Sequence, residues 1–142
     1  NEPERLNYPP PPSGSDTMDE KDQQEMVRRV LARVREEYGF VPLVSEMMSE
    51  RPDIYLPYSE MSSGLFFRPR HLDRRTAELA AIAAGAALGS ENCLGVHIPQ
   101  ALKLGLSEDE IMEAMFVGSF MSMNRSNSIA LRCLKAARGN QG

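Results

Sequence analysis

The chain has 142 residues and a formal net charge of −4. This length predicts a single domain with its own apolar core. The net negative charge does not favour binding to nucleic acids or to anionic membranes, and neither is expected as a partner. With two cysteines, no secretion signal and no apolar run as long as a membrane span, the sequence predicts a cytoplasmic protein with reduced thiols and no disulfide framework.

The N-terminal segment 1–17 differs in composition from the rest of the chain. It contains four consecutive prolines, Pro9 to Pro12, followed by glycine and serine. Proline cannot enter a helix interior and favours extended backbone. We therefore expect a disordered or extended arm at 1–17 and a single helical domain at 18–142.

Helical periodicity begins after this arm. Apolar residues recur at helical spacing from 18 to 38, and a glycine supplies the stop. A short helix is expected over 42–50, with a proline in its first turn. A third helix is expected over 52–63, kinked or broken at Pro57. Residues 64–70 are predicted to form a loop.

The central segment gives the clearest helix signals. Asp73 is a plausible N-cap for the alanine-rich helix that follows, and Gly89 provides its C-terminal stop. Ser90 can cap a second helix that runs to Gly105 and is expected to bend at Pro99. These two helices are predicted to form an antiparallel pair at the centre of the fold.

The C-terminal part is also predicted to be helical. The sequence of 107–110 fits a capping box, the segment 119–128 is ambiguous, and 129–137 is again helical. No segment shows the alternation of a strand, so the predicted fold is all-α. The apolar side chains here exceed what one small core absorbs and predict self-association; they are Met112, Met115, Phe116, Phe120, Met121 and Met123.

One group of residues could carry chemistry. Cys93 precedes His97 by four residues, so the two share one face of the predicted helix. Near the helix N-terminus, the unpaired N–H groups and the helix dipole stabilise a thiolate, and a histidine one turn along can exchange its proton. Glu78, on the preceding helix, lies at a similar height in an antiparallel pair and could orient His97.

Other interpretations of these residues stay open. A cysteine and a histidine in an apolar helix are also common as packed structural groups, and Cys93, His97 and Glu78 are all metal-ligand types. Arginines before the central helix, Arg74 and Arg75 among them, could attract an anionic substrate or simply be solvated.

Three stretches of sequence resemble a known family. Residues 78–80, 89–97 and 101–111, with lead-in segments at 39–42 and 50–52, are similar to the core of the carboxymuconolactone decarboxylase / alkylhydroperoxidase D-like family. The resemblance implies an all-helical fold that assembles as trimers, hexamers or related rings.

The chain departs from the redox members of that family at one position. Those members carry a C-x-x-C pair before the histidine, and the resemblance aligns Cys93 with the second cysteine, His97 with the histidine and Glu78 with the glutamate. Ser90 stands where the first cysteine would be, and Asn92 replaces a histidine. The dithiol cycle of those members is therefore not expected here. Whether Cys133 takes part is left open.

Three functions follow from this resemblance. The first is a thiol-dependent, peroxiredoxin-type antioxidant oxidoreductase that uses Cys93, His97 and Glu78. The second is a decarboxylase of a small lactone acid with His97 as acid and base, and the third is a non-catalytic small-molecule-binding relative. The expected substrate is a hydroperoxide or a small carboxylic acid, the predicted substrate-binding residues are Ser90, Arg74 and Arg75, and no cofactor or metal is expected.

Overall fold

The computed structural model describes residues 18–140, and within this range the chain forms six α-helices and no strand. The predicted all-α fold is therefore confirmed for these residues, whereas the predicted arm at 1–17 lies outside them. The helices are α1 Glu20–Tyr38, α2 Leu43–Met48, α3 Pro52–Phe66, α4 Arg74–Leu88, α5 Glu91–Lys103 and α6 Glu108–Gly139.

The helix ends lie where local sequence signals place them. The Asp73 carboxylate accepts a hydrogen bond from the Thr76 N–H and caps α4, because the first N–H groups of a helix have no partner within it. Gly89 ends α4 with φ 65°, in the left-handed region that glycine adopts at little cost. The Ser107 and Glu110 side chains form the predicted capping box at the start of α6.

The predicted end of the third helix was wrong. The helix α3 continues past the expected loop start to Phe66, and it includes Pro57 within its length, as expected. The aromatic residues at its end account for this extension: the Phe66 ring lies 4.5 Å from the His97 ring, and the Phe67 ring lies 6.0 Å from that of Tyr38. Tertiary contacts thus override the weak helix propensity of serine and glycine there.

The ambiguous segment 119–128 is helical and joins its neighbours in one helix, α6, of 32 residues. From Ser119 onward every residue of this helix is exposed except Ser122, which is half-buried. The large apolar side chains exposed in this half are Phe120, Met121, Met123, Ile129, Leu131 and Leu134. No helix within residues 18–140 is both long and apolar enough to cross a membrane.

The buried side chains form two separate clusters. One cluster joins α4, α5 and α6 through Ile82, Ala101, Leu106 and Ile111. The other joins α1 to α3 through Val27, Val30 and Tyr55. Phe66 of α3 contacts His97 of α5 and thereby links the two clusters. His97 therefore lies between two apolar clusters rather than inside one.

Gly118 sets the distance between α4 and α6. A Cβ atom at this position would overlap the carbonyl oxygen of Ala83 and lie 2.7 Å from its carbonyl carbon. Both are backbone atoms, so the two helices would have to separate to accommodate a side chain. The close approach of α4 and α6 therefore depends on the absence of a side chain at Gly118.

The variant Gly118→Ala is expected to lower the free energy of unfolding by about 1–3 kcal/mol, because overpacking forces the backbone to shift. Gly95→Ala in α5 is the matched control, since a Cβ there meets nothing within 4 Å. The control should gain up to about 1 kcal/mol through its higher helix propensity. Urea unfolding of both variants measures the difference, and similar values for the two would contradict the close-packing argument.

Candidate functional site

Cys93 and His97 lie one turn apart on α5. The helix begins at Glu91, so Cys93 is in the first turn, where the helix dipole favours negative charge on the sulfur. Ser90 is the N-cap, and its hydroxyl accepts a hydrogen bond from the Cys93 N–H at 3.4 Å. The Cys93 residue is exposed and its thiol is free, which leaves the sulfur accessible to a small molecule.

His97 is held by a buried carboxylate. The His97 Nδ1 and Glu78 Oε2 atoms lie 2.7 Å apart, and Glu78 is only 2% exposed. An ionised carboxylate only accepts hydrogen bonds, so Nδ1 carries the hydrogen and Nε2 is left to exchange a proton. The ring of Phe66 packs against the imidazole. The predicted contact between Glu78 and His97 is therefore present, and it fixes the orientation of the ring.

A cavity of about 210 Å³ opens beside this pair. Cys93, Val96 and His97 contribute its α5 side, whereas α1, α2 and α3 supply the other walls. The apolar and aromatic part of the lining includes Val30, Val34, Phe40, Val44, Tyr58 and Phe66. A largely apolar cavity with a few polar groups is the usual form of a small-molecule site.

Tyr38 adds a hydrogen-bond donor to the cavity. The residue ends α1, lines the cavity and packs its ring against Phe67. Burial raises the pKa of Tyr38 above its usual range, and the negative charge of Glu78 raises this pKa further. The phenol therefore stays protonated at neutral pH and can donate to a ligand.

Tyr38 is expected to ionise only above the ordinary tyrosine value of about 10. Its folded pKa is raised, so folding favours the protonated phenol. This contribution to stability is fully present below pH of about 10 and is lost as pH rises through the folded pKa. An absorbance titration of tyrosinate should lose one step above pH of about 10 in Tyr38→Phe, and this variant should lose stability less steeply in alkali. If the wild type and Tyr38→Phe lost stability equally steeply above pH of about 10, the raised pKa of Tyr38 would be contradicted.

The predicted substrate-binding residues are placed outside the cavity lining. Ser90 caps α5. The Arg74 Nε donates to the Phe66 carbonyl oxygen at 3.1 Å, and the Arg74 guanidinium lies over the Phe67 ring. Arg75 is exposed and lies 3.7 Å from a carboxylate oxygen of Glu110. The substrate-binding role of these three residues stays a prediction.

The sequence reasoning missed the cavity residues that come from α1, α2 and α3. These are polar groups such as Arg33 and Ser45, together with Ser59, Ser62 and Ser63 of α3. One feature of the sequence could have indicated them: the serines of α3 recur at helical spacing. This spacing puts hydroxyls on a face where a core helix normally carries apolar side chains.

A metal site has no support in the described part of the chain. Within residues 18–140, no three side chains of His, Cys, Asp or Glu are placed to hold a metal ion together. The polar geometry of the site is that of a carboxylate that orients a histidine.

Comparison with known proteins gives one match. The model of the carboxymuconolactone decarboxylase family matches residues 52–136, a stretch that contains Glu78, Cys93 and His97 and leaves out α1. No curated protein and no solved structure matches the chain.

Proposed function

This chain belongs to the carboxymuconolactone decarboxylase family, and from that premise we propose that it is a thiol-dependent peroxide reductase with a single reactive cysteine. One observation carries the proposal: Cys93 and His97 line the same cavity, and the buried Glu78 carboxylate holds His97 at 2.7 Å. A nucleophile, a base and a group that orients the base are thereby gathered in one place.

The proposed reaction transfers one oxygen atom to sulfur. The Cys93 thiolate attacks the terminal oxygen of a hydroperoxide R–O–O–H, and the O–O bond breaks as the S–O bond forms. His97 donates the proton from Nε2 to the departing alkoxide, which leaves as R–OH. The products are an alcohol and a sulfenic acid on Cys93. Glu78 stabilises the positive charge that the imidazole carries before it gives up the proton.

The sulfenic acid needs an external reductant, because the hydroxyl of Ser90 cannot form a disulfide with Cys93. A thiol compound would condense with the sulfenic acid to a mixed disulfide and release water. A second thiol would then free Cys93 and leave as the oxidised disulfide. The proposal therefore places this antioxidant activity in the cytoplasm, where thiol reductants are abundant. The two free cysteines are consistent with that location.

The direct test is to trap the oxidised sulfur. The protein is treated with one equivalent of cumene hydroperoxide in the presence of dimedone, which reacts with sulfenic acids, and its peptides are analysed by mass spectrometry. The adduct is expected on Cys93 and not on Cys133, although both residues are exposed. Equal labelling of the two cysteines, or none, would count against the proposal.

The second candidate is a decarboxylase that acts on a small lactone acid. The Glu78–His97 pair favours it, because the pair can move protons without any thiol, with His97 as acid and base. Cys93→Ser separates the two candidates, since it should leave decarboxylation intact and abolish peroxide reduction. If neither activity appears, the third expectation remains: a non-catalytic relative that binds a small molecule.

We further propose that the chain assembles with copies of itself, as a trimer or hexamer in line with the family resemblance. The support is the second half of α6, which extends with apolar side chains exposed and would be a marginal helix on its own. The helices α4 and α5 would form the antiparallel pair at the centre of each subunit: Gly85 packs near Leu94 and Glu78 bonds to His97. Light scattering at micromolar concentration should give a multiple of the monomer mass, and a monomeric mass would contradict this proposal.

A further inference from the structure

The cavity walls formed by α2 and α3 contain hydroxyl groups without partners. Ser45, Ser59 and Ser63 line the cavity and are only 9%, 8% and 8% exposed. Within residues 18–140, their hydroxyls make no hydrogen bond. These hydroxyls are not among the fully buried polar atoms without a partner, so they are open to the cavity that they line. Three hydroxyls open to one largely apolar cavity point to a ligand that carries oxygen atoms.

Arg33 of α1 supplies a free cation in the same lining. Arg28, Arg51 and Arg68 each lie within 2.8 Å of a carboxylate oxygen. Arg33 is half-buried and, in the described part of the chain, has no ion pair or hydrogen bond. Its guanidinium therefore keeps all its donors available, and their planar arrangement matches a carboxylate.

The remaining lining limits what such a ligand can be. Most of the other lining side chains are aliphatic or aromatic, so they favour an apolar body. Glu37, one turn after Arg33, also lines the cavity and disfavours a second negative charge. A single anionic group on a small apolar molecule is the chemistry that suits both features.

We propose that this cavity binds a small apolar monocarboxylate, whose carboxylate is held by Arg33 and by the serine hydroxyls that line the cavity. The inference rests on the proposed peroxide reductase function. The substrate would then be a hydroperoxide whose carbon skeleton also bears a carboxylate. Arg33 comes from α1 and the reactive pair comes from α5, so a bound molecule would contact both. Arg33, rather than Arg74 or Arg75, is then the residue that selects the anion.

The test compares two probes of one shape, para-tert-butylbenzoate and its neutral amide, by isothermal titration calorimetry on the full chain. The benzoate should bind on the order of tenfold more tightly than the amide, the difference expected for hydrogen bonds to a charged partner. Arg33→Gln should bring this ratio close to one, and Arg33→Lys should keep part of it. Arg29→Gln is the control, because Arg29 is exposed and lies beside Glu25; it should not change the ratio.

Equal affinities in the wild type would overturn the proposal, and so would a ratio that survives in Arg33→Gln. Location is checked separately: the benzoate should slow alkylation of Cys93 by iodoacetamide without affecting Cys133, and alkylation of Cys93 at an unchanged rate would place the probe elsewhere. The titration is repeated on Cys93→Ser, where binding should persist. If binding follows these expectations but cumene hydroperoxide leaves Cys93 unoxidised, the binding site stands and the peroxidase function fails.

Discussion

Replacement of Cys93 with serine is expected to abolish peroxide reduction, with a fall of roughly a thousandfold or more in kcat/KM, because loss of the nucleophile removes the covalent route altogether. Serine is close to cysteine in size, and residue 93 is exposed, so the fold should not change. The measurement is the steady-state consumption of cumene hydroperoxide with a dithiol reductant, after circular dichroism has shown that the variant is folded.

Cys133→Ser provides the matched control. Cys133 is equally a free, exposed cysteine, but it lies in the second half of α6 and does not line the cavity. This variant should keep wild-type kcat/KM. If instead Cys133→Ser is as inactive as Cys93→Ser, the single-cysteine mechanism fails, and a disulfide between the two cysteines would have to be part of the cycle.

The second large effect is expected at the proton relay. His97→Gln should lower kcat by about 10²–10⁴-fold, the range typical of a lost general acid or base. Glu78→Gln should have a smaller effect, because an amide can still orient the imidazole but cannot stabilise its positive charge. Because a missing relay acts on the chemical step, KM should change much less than kcat.

Stability measurements separate this chemical role from a structural one. His97→Gln removes the imidazole that contacts the buried Glu78 carboxylate, and loss of the hydrogen-bond partner of a buried group typically costs about 1–3 kcal/mol, and more when that group is charged. The double variant Glu78→Gln/His97→Gln removes the charge as well and should regain part of that stability, but none of the activity. Glu113→Gln, at an exposed position of α6, controls for loss of a carboxylate. A double variant that recovers activity together with stability would show that the pair is only structural.

Much of the fold could be predicted because its signals are local. The caps at Asp73 and Ser107 and the stop at Gly89 depend on hydrogen bonds and backbone angles within a few residues. The contact between Glu78 and His97 could be anticipated as well, because a tight connection between two helices limits which residues lie at the same height. The spacing of Cys93 and His97 needed only the helical period.

The prediction that failed depended on distant contacts, and one segment could not be assigned. The end of α3 lies beyond the expected loop start because Phe66 and Phe67 pack against residues about thirty positions away on either side in the sequence. The continuity of α6 through 119–128 likewise had no clear local signal, since that segment mixes good and poor helix formers.

The sequence by itself determined most of the helices, the caps at Asp73 and Ser107 and the shared face of Cys93 and His97, because each follows from interactions within one or two turns. Only the tertiary structure decided which groups surround the reactive pair. Arg33 and Ser63 line the cavity because α1 packs beside both α3 and α5, whereas Arg74 and Arg75 contact other groups. The lining of this cavity depends on how the helices pack against one another, and no local sequence pattern specifies that packing.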